Sequence, residues 1–208
     1  VYRFDPIGFP VVHCPPLGLG VGLLPVMRAQ FEYFLGSTSG FPREAFDQIE
    51  QTAPRASWRT TPDSTGVFLS GIRPEEAELF ARWIGYGFRL PTAREWRTLD
   101  RAFVVAGQRL GPIRKIAGDS RTHPAARAVL DRALAGSAPT WGTAGRLEGG
   151  LLEWVVDEDG VHRLHGRPRT SLIQVVHNPQ VHPAIEPTSA NRHPAFGVRL
   201  VSPWPEAT

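Results

Sequence analysis

Apolar positions along the chain recur at two periods, and the changes between them mark its elements. Residues 1–24 carry short apolar runs broken by Pro and Gly, which predicts strands joined by turns. Behind Pro25 the spacing changes: Met27, Phe31, Phe34 and Leu35 share one helical face, which Gly36 and the loop "GSTSGFP" terminate. Residues 37–70 are rich in turn formers, with one helical piece around "REAFDQIEQ". A clearer helix starts at Pro74, where the missing N–H has no helical partner to lose. Ala77, Phe80, Ala81 and Ile84 form its inward stripe, Glu75, Glu76 and Glu78 suit its positive end, and Gly85 stops it.

The stretch "FRLPTAREWRTLDRAF", residues 88–103, reads as a strand end, a cap and a helix. Thr92 and Glu95 have the spacing of a capping box, hydroxyl to the N–H of residue 95 and carboxylate back to the N–H of residue 92. Trp96, Leu99 and Phe103 then mark the buried face. Residues 104–140 predict a helix and loops. "LLEWVVDEDGVHRLHG" alternates on either side of Asp157–Gly160 and predicts a β-hairpin, and "FGVRLV" predicts one last strand after an irregular, Pro-rich stretch from Arg167 to Pro194. No internal repeat is apparent, and residues 1–208 read as a single domain.

Composition narrows the function classes. With 20 Pro and 21 Gly among 208 residues, the chain favours a loop-rich fold over a helical bundle, while 41% hydrophobic residues suffice for a core. Cys14 is the only cysteine, which excludes intrachain disulfides and thiolate-pair metal or redox sites. No apolar run approaches the length of a membrane span, and "LGLGVGLLPVM" is broken by glycine with no basic stretch before it, so a cytoplasmic setting is expected. Lys115 is the only lysine among 23 basic residues, and the arginines are spread along the chain, a bias that genomic base composition accounts for.

Several segments together resemble the formylglycine-generating enzyme (sulfatase-modifying factor) family. "RLPTAREW", 89–96, resembles its R-L-P-T-E-A-E-W box, and "GGLLEWVVD", 149–157, its G-N-V-W-E-W-x-x-D segment. "FGVRLV", 196–201, is similar to the closing G-F-R-L-V strand, "LPVMRAQFEYFL", 24–35, to the opening P-V-T-N-x-Q-Y-x-x-F-L, and "PTWG", 139–142, to the Y-P-W-G turn. The matches run in family order. The resemblance implies an α+β, C-type lectin-like fold of the formylglycine-generating enzyme type: small twisted antiparallel sheets, two packed helices and many loops.

It does not carry the family's chemistry across. The catalytic copper-binding cysteine pair near the family's C-terminal end has no counterpart after Cys14, Gly150 stands where a calcium-associated asparagine is found, and the His-rich helical domain of the related iron-dependent sulfoxide synthases is lacking. The chain therefore looks like a non-catalytic member, a pseudoenzyme, and is most similar to the variable proteins of diversity-generating retroelements. Those use this fold to display a hypervariable surface, which here corresponds to residues 163–195. "RLHGRPRT", 163–170, sits where that group has R-V-x-R-G-G-S-W, without the G-G-S-W itself.

Candidate ligand-binding residues are accordingly Arg167, Arg169, Thr170, Ser171, Gln174, His177, Asn178, Gln180, His182, Asn191, Arg192 and His193. Thr92, Glu95, Trp96, Glu153, Trp154 and Arg199 read as structural, with Arg199 pairing a buried carboxylate such as Glu153 or Glu95. Five of the seven histidines lie between His162 and His193, which raises a metal site. Against it, His162 and His165 fall on opposite faces of a strand, and His177, His182 and His193 form no helical pair. Residues 161–199 hold five arginines (163, 167, 169, 192, 199) and one acid, Glu186, which predicts a basic face. Nucleic acid is a poor fit because only Phe196 is there to stack. Asp157, Glu158 and Asp159 read as a solvated turn, Trp83, Trp96 and Trp154 as core, and Trp141 as the exposed tryptophan. Cys14 and His13 are strand neighbours that point apart.

The expectation is thus a non-enzymatic display domain that binds a protein ligand and needs no cofactor or metal. The alternatives are a metal-dependent oxidative enzyme using the C-terminal histidines, and an accessory domain docking an acidic partner.

Overall fold

The computed structural model describes residues 1–52, 67–105, 110–136, 140–145, 151–166 and 192–205. The fold is α+β. Strands β1 (Tyr2–Phe4), β2 (Pro10–Cys14) and β3 (Leu19–Gly22) open the chain, followed by helices α1 (Arg28–Ser37) and α2 (Arg43–Thr52). Helices α3 (Pro74–Ile84), α4 (Ala93–Val105), α5 (Gly111–Gly118), α6 (Pro124–Leu134) and the single turn α7 (Trp141–Ala144) come next. The hairpin β4 (Leu152–Val156) and β5 (His162–His165) precedes β6 (Phe196–Gly197) and β7 (Val201–Pro203).

Two small sheets result. The first is antiparallel with order β1-β2-β3-β7, so the C-terminal strand closes against the N-terminal meander through Val21↔Val201. The second has order β5-β4-β6, with β5 antiparallel to β4 and β6 parallel to it. Period-two alternation assigns side chains to two cores. Val12, Cys14, Val21 and Val201 join Trp96, Leu99 and Phe103 of α4 and the apolar faces of α5 and α6. Val11 faces the other way, into the cluster of Phe31, Phe34, Phe80, Trp154 and Phe196.

Three sequence expectations are corrected. "FGVRLV" is not one strand: Phe196–Gly197 pairs with β4, and Val201 pairs with β3 in the other sheet. Between them the backbone changes partner, Val198 O accepting from Val26 N–H (2.8 Å) and Leu200 O from Gly22 N–H (2.9 Å). Every residue from Phe196 to Val201 is buried, because the segment runs between the sheets. The stretch from residue 104 to 140 contains two helices, α5 and α6, which pack on each other. Their apolar stripes (Ile113, Ile116, Ala117; Ala125, Ala126, Val129, Leu130) are short, and the prolines that look like breakers sit in the first turn. Trp141, expected exposed, is half-buried with its ring edge on Phe103. The helices at Pro74 and Ala93 and the 152–165 hairpin form where the periodicity places them. Among the described residues no helix is long and apolar enough to cross a membrane.

Candidate functional site

Three distant segments converge on one buried carboxylate. Glu153 lies on β4, on the same side as Leu151 and Val155, and is 1% exposed; Arg199 is 0% exposed. The capping box predicted for α4 is formed, Thr92 N–H to Glu95 Oε2 at 2.7 Å and Glu95 N–H to Thr92 Oγ1 at 3.1 Å. It sets the first turn, which turns Trp96 inward so that its Nε1–H donates to Glu153 Oε2 at 2.7 Å. Arg199 Nε–H and Nη2–H reach the same carboxylate at 3.0 and 2.9 Å. Its remaining donors meet the carbonyls of Gly22 (2.7 Å), Leu23 (2.6 Å) and Gly145 (2.6 Å). All five N–H donors of the guanidinium are used, leaving none for a substrate. Of the two carboxylates left open by sequence, Arg199 takes Glu153, while Glu95 takes the surface residue Arg89 in a bidentate pair at 2.8 and 2.7 Å. Trp154 points to the other core, fully buried, its Nε1–H on Ile72 O at 2.8 Å. The six residues read as structural all sit in scaffold contacts.

The candidate binding segment is bounded by two fixed shoulders. On one side His165 pairs across from Glu153, its ring at 5.8 Å from that of Trp96. Gly166 follows with φ 153°, where a Cβ would lie 2.6 Å from Leu151 O, so only glycine fits this approach. On the other side Arg192 is clamped: Nη1–H and Nη2–H to Glu76 at 2.7 and 2.5 Å, Nη1–H to Gly71 O at 2.9 Å, and Nε–H to Gln48 Oε1 at 3.1 Å. His193 Nδ1 accepts from Ala195 N–H at 3.1 Å and its ring packs on Phe196. Both named binding residues that the structure describes, Arg192 and His193, are thus engaged with the scaffold. Arg167, Arg169, Thr170, Ser171, Gln174, His177, Asn178, Gln180, His182 and Asn191 lie outside the described residues.

The expected basic face is corrected where it is described. Arg163 holds Asp157 (2.5 Å) and Asp159 (3.0 Å), Arg192 holds Glu76, and Arg199 holds Glu153. Acids outside residues 161–199 neutralise these arginines, which a count within that span does not register. His162 and His165 do diverge: His162 Nε2 lies 3.0 Å from Glu78 on α3, whereas His165 lies against α4. Burial, and then the charge of Arg97, hold the His165 imidazole below its ordinary value. Asp157, Glu158 and Asp159 form the hairpin turn. Cys14 is in the core, where burial pushes its thiol up, and His13 stacks on Trp204 on the other side of the sheet.

Sequence reasoning missed Asp5, which is 8% exposed. Its Oδ1 accepts from the N–H groups of Ile7 and Phe9, both at 2.9 Å, and its Oδ2 from Gln30 Nε2 at 2.8 Å. It borders a cavity of about 20 Å³, together with Val11, Leu24 and Phe88. An open depression of about 480 Å³ lies between α1 and α2, lined by Leu35, Phe41 and Phe46 with Glu32 and Arg43 at its rim. Neither joins a nucleophile to a base. Among the described residues no group of three or more His, Cys, Asp or Glu is placed to hold a metal ion. Comparisons with protein-family models, with curated proteins and with solved structures give no match for this chain.

Proposed function

We propose that the chain is a non-catalytic binding domain with a C-type lectin-like scaffold of the formylglycine-generating enzyme type, displaying residues 163–195 to a protein ligand. The observation that carries this reading is that both shoulders are held by scaffold residues outside the stretch between them. His165 pairs with Glu153 on β4, and Arg192 is held by α2, α3 and the Gly71 carbonyl. A scaffold that anchors both ends of a 25-residue stretch, 167–191, through contacts outside that stretch tolerates substitution within it. The convergence at Glu153 supports the family likeness. Trp96, Glu153 and Arg199 each come from a different one of the resembling segments, and they meet in one network.

The coding locus tests the diversified form of this reading. A near-repeat of the segment encoding residues 163–195, differing almost only at adenines and lying beside a reverse transcriptase gene, is the expected pattern. Its absence would leave a binder of fixed sequence. Near-stoichiometric iron or copper in purified protein would overturn display in favour of a metal-dependent oxidative enzyme.

A further inference from the structure

Among the described residues several acids already have an arginine, and three of the arginines left over share one helix face. Glu50, Glu76, Glu95, Asp119, Glu153 and Asp157 are each taken by an arginine. Arg94, Arg97 and Arg101 of α4 are exposed, and among the described residues none of them meets a carboxylate. The one hydrogen bond in the group stays within the helix, Arg101 Nε–H to Arg97 O at 3.3 Å. The flanking acids are unavailable: Glu95 is bidentate with Arg89, and Asp100 is buried. Asp157, whose carboxyl feels the Arg97 charge, is held by Arg163.

At 3.6 residues per turn these three positions, spaced i, i+3, i+7, fall on one line opposite Trp96, Leu99 and Phe103. The line continues into Val104 and Val105, which are 52% and 86% exposed. Arg94 to Val105 thus occupies an arc of roughly 100° and about 16 Å of helix length. It is a stripe of three like charges, mutually repulsive without a counter-charge, that ends in two solvated β-branched side chains.

We propose that this outer face of α4 docks an acidic amphipathic segment of another protein. Its carboxylates would match the three guanidinium forks, and its apolar end would cover Val104 and Val105. Arginine pairs carboxylate in bidentate fashion, and the apolar terminus selects a partner that carries both features. A duplex phosphate backbone would use the arginines but leave the valines in water. An anionic bilayer would meet no apolar face to bury beyond the two valines, because the apolar face of α4 is committed to the core. Arg94 to Val105 lie outside residues 163–195 in sequence, so this inference does not rest on that segment being the display face.

The test uses the intact protein and a synthetic helical peptide with glutamates at i, i+3 and i+7 followed by two leucines, titrated at low and at physiological salt. A 20-base-pair duplex and phosphatidylserine vesicles are run in parallel. The peptide should bind, weaken with salt, and bind about tenfold or more weakly to R94Q/R97Q/R101Q. V104S/V105S should also weaken it, while the melting temperatures of both variants stay within about 2 °C of the parent, since the positions are exposed. Unchanged affinity in the triple variant, or no peptide binding at low salt, would overturn the proposal. Tighter binding of duplex or vesicles that ignores the valine substitutions would overturn it too, in favour of a phosphate surface.

Discussion

Arg199 and Glu153 face each other in the interior, 0% and 1% exposed, with the guanidinium fully hydrogen-bonded and the carboxylate shared with Trp96. Each member is tolerable only because the other is there. Glu153→Gln keeps an acceptor for Trp96 but strands a buried cation, and should cost about 3–5 kcal/mol. In a domain of this size that is a fall of roughly 10 °C in melting temperature. Replacing both with apolar residues should cost less than the sum of the single changes, since no uncompensated charge remains. Urea unfolding of the two singles and the double measures this. An additive double would mean that the pair is not coupled.

The capping box gives a smaller effect with a pH signature. Thr92→Ala should destabilise by about 1 kcal/mol. Burial works to raise the Glu95 carboxyl, but hydrogen bonds from Arg89 and from the Thr92 N–H outweigh it and hold it below its ordinary value. A carboxyl lowered on folding adds stability that is complete above its unfolded pKa and is lost as pH falls through the folded one. The stability gap between the parent and Glu95→Gln should therefore be full at neutral pH and shrink below about pH 4. Thermal melts across that range check it.

Asp5 has the opposite sign. Burial raises its carboxyl despite the hydrogen bonds from Phe9, Gln30 and Ile7 that favour the charged form. A carboxyl raised on folding contributes most below its unfolded pKa, and the contribution is lost as pH rises through the folded one. The stability of the parent relative to Asp5→Asn should therefore decline from about pH 4 upward. The variant carries a fixed cost at every pH. Gln30 donates to Asp5 and accepts from Met27 N–H through its own amide oxygen (2.7 Å), so an asparagine NH₂ facing it finds no acceptor. A gap that does not change with pH would show that Asp5 does not titrate in this way.

The shoulder and the stretch it bounds should respond differently to substitution. Arg192→Ala leaves Glu76, whose side chain is 11% exposed, without its partner and should cost about 1–3 kcal/mol. Replacing Thr170, Ser171, His177, Gln180 and Asn191 together should move the melting temperature by no more than about 2 °C if those residues serve display. A large loss of stability in the fivefold variant would remove display as their role.

The local grammar of this chain is written in its sequence. Pro74, the Thr92–Glu95 spacing and the turn residues Asp157–Gly160 act through contacts within a few residues, so a helix start, a capping box and a hairpin are legible without coordinates. Helices α5 and α6 were harder to read because a proline signals both a break and a first turn, and only packing of one helix on the other separates the two. Charge was legible only as a count. Arginine side chains reach acids across the fold, Arg192 to Glu76 and Arg199 to Glu153, and that pairing neutralises these two members of the apparent basic stretch near the C-terminus while Arg94, Arg97 and Arg101 on α4 stay exposed. The division of "FGVRLV" between two sheets has the same origin. A strand's partner is set by which backbone lies beside it, and that is a property of the assembled chain rather than of any six residues within it.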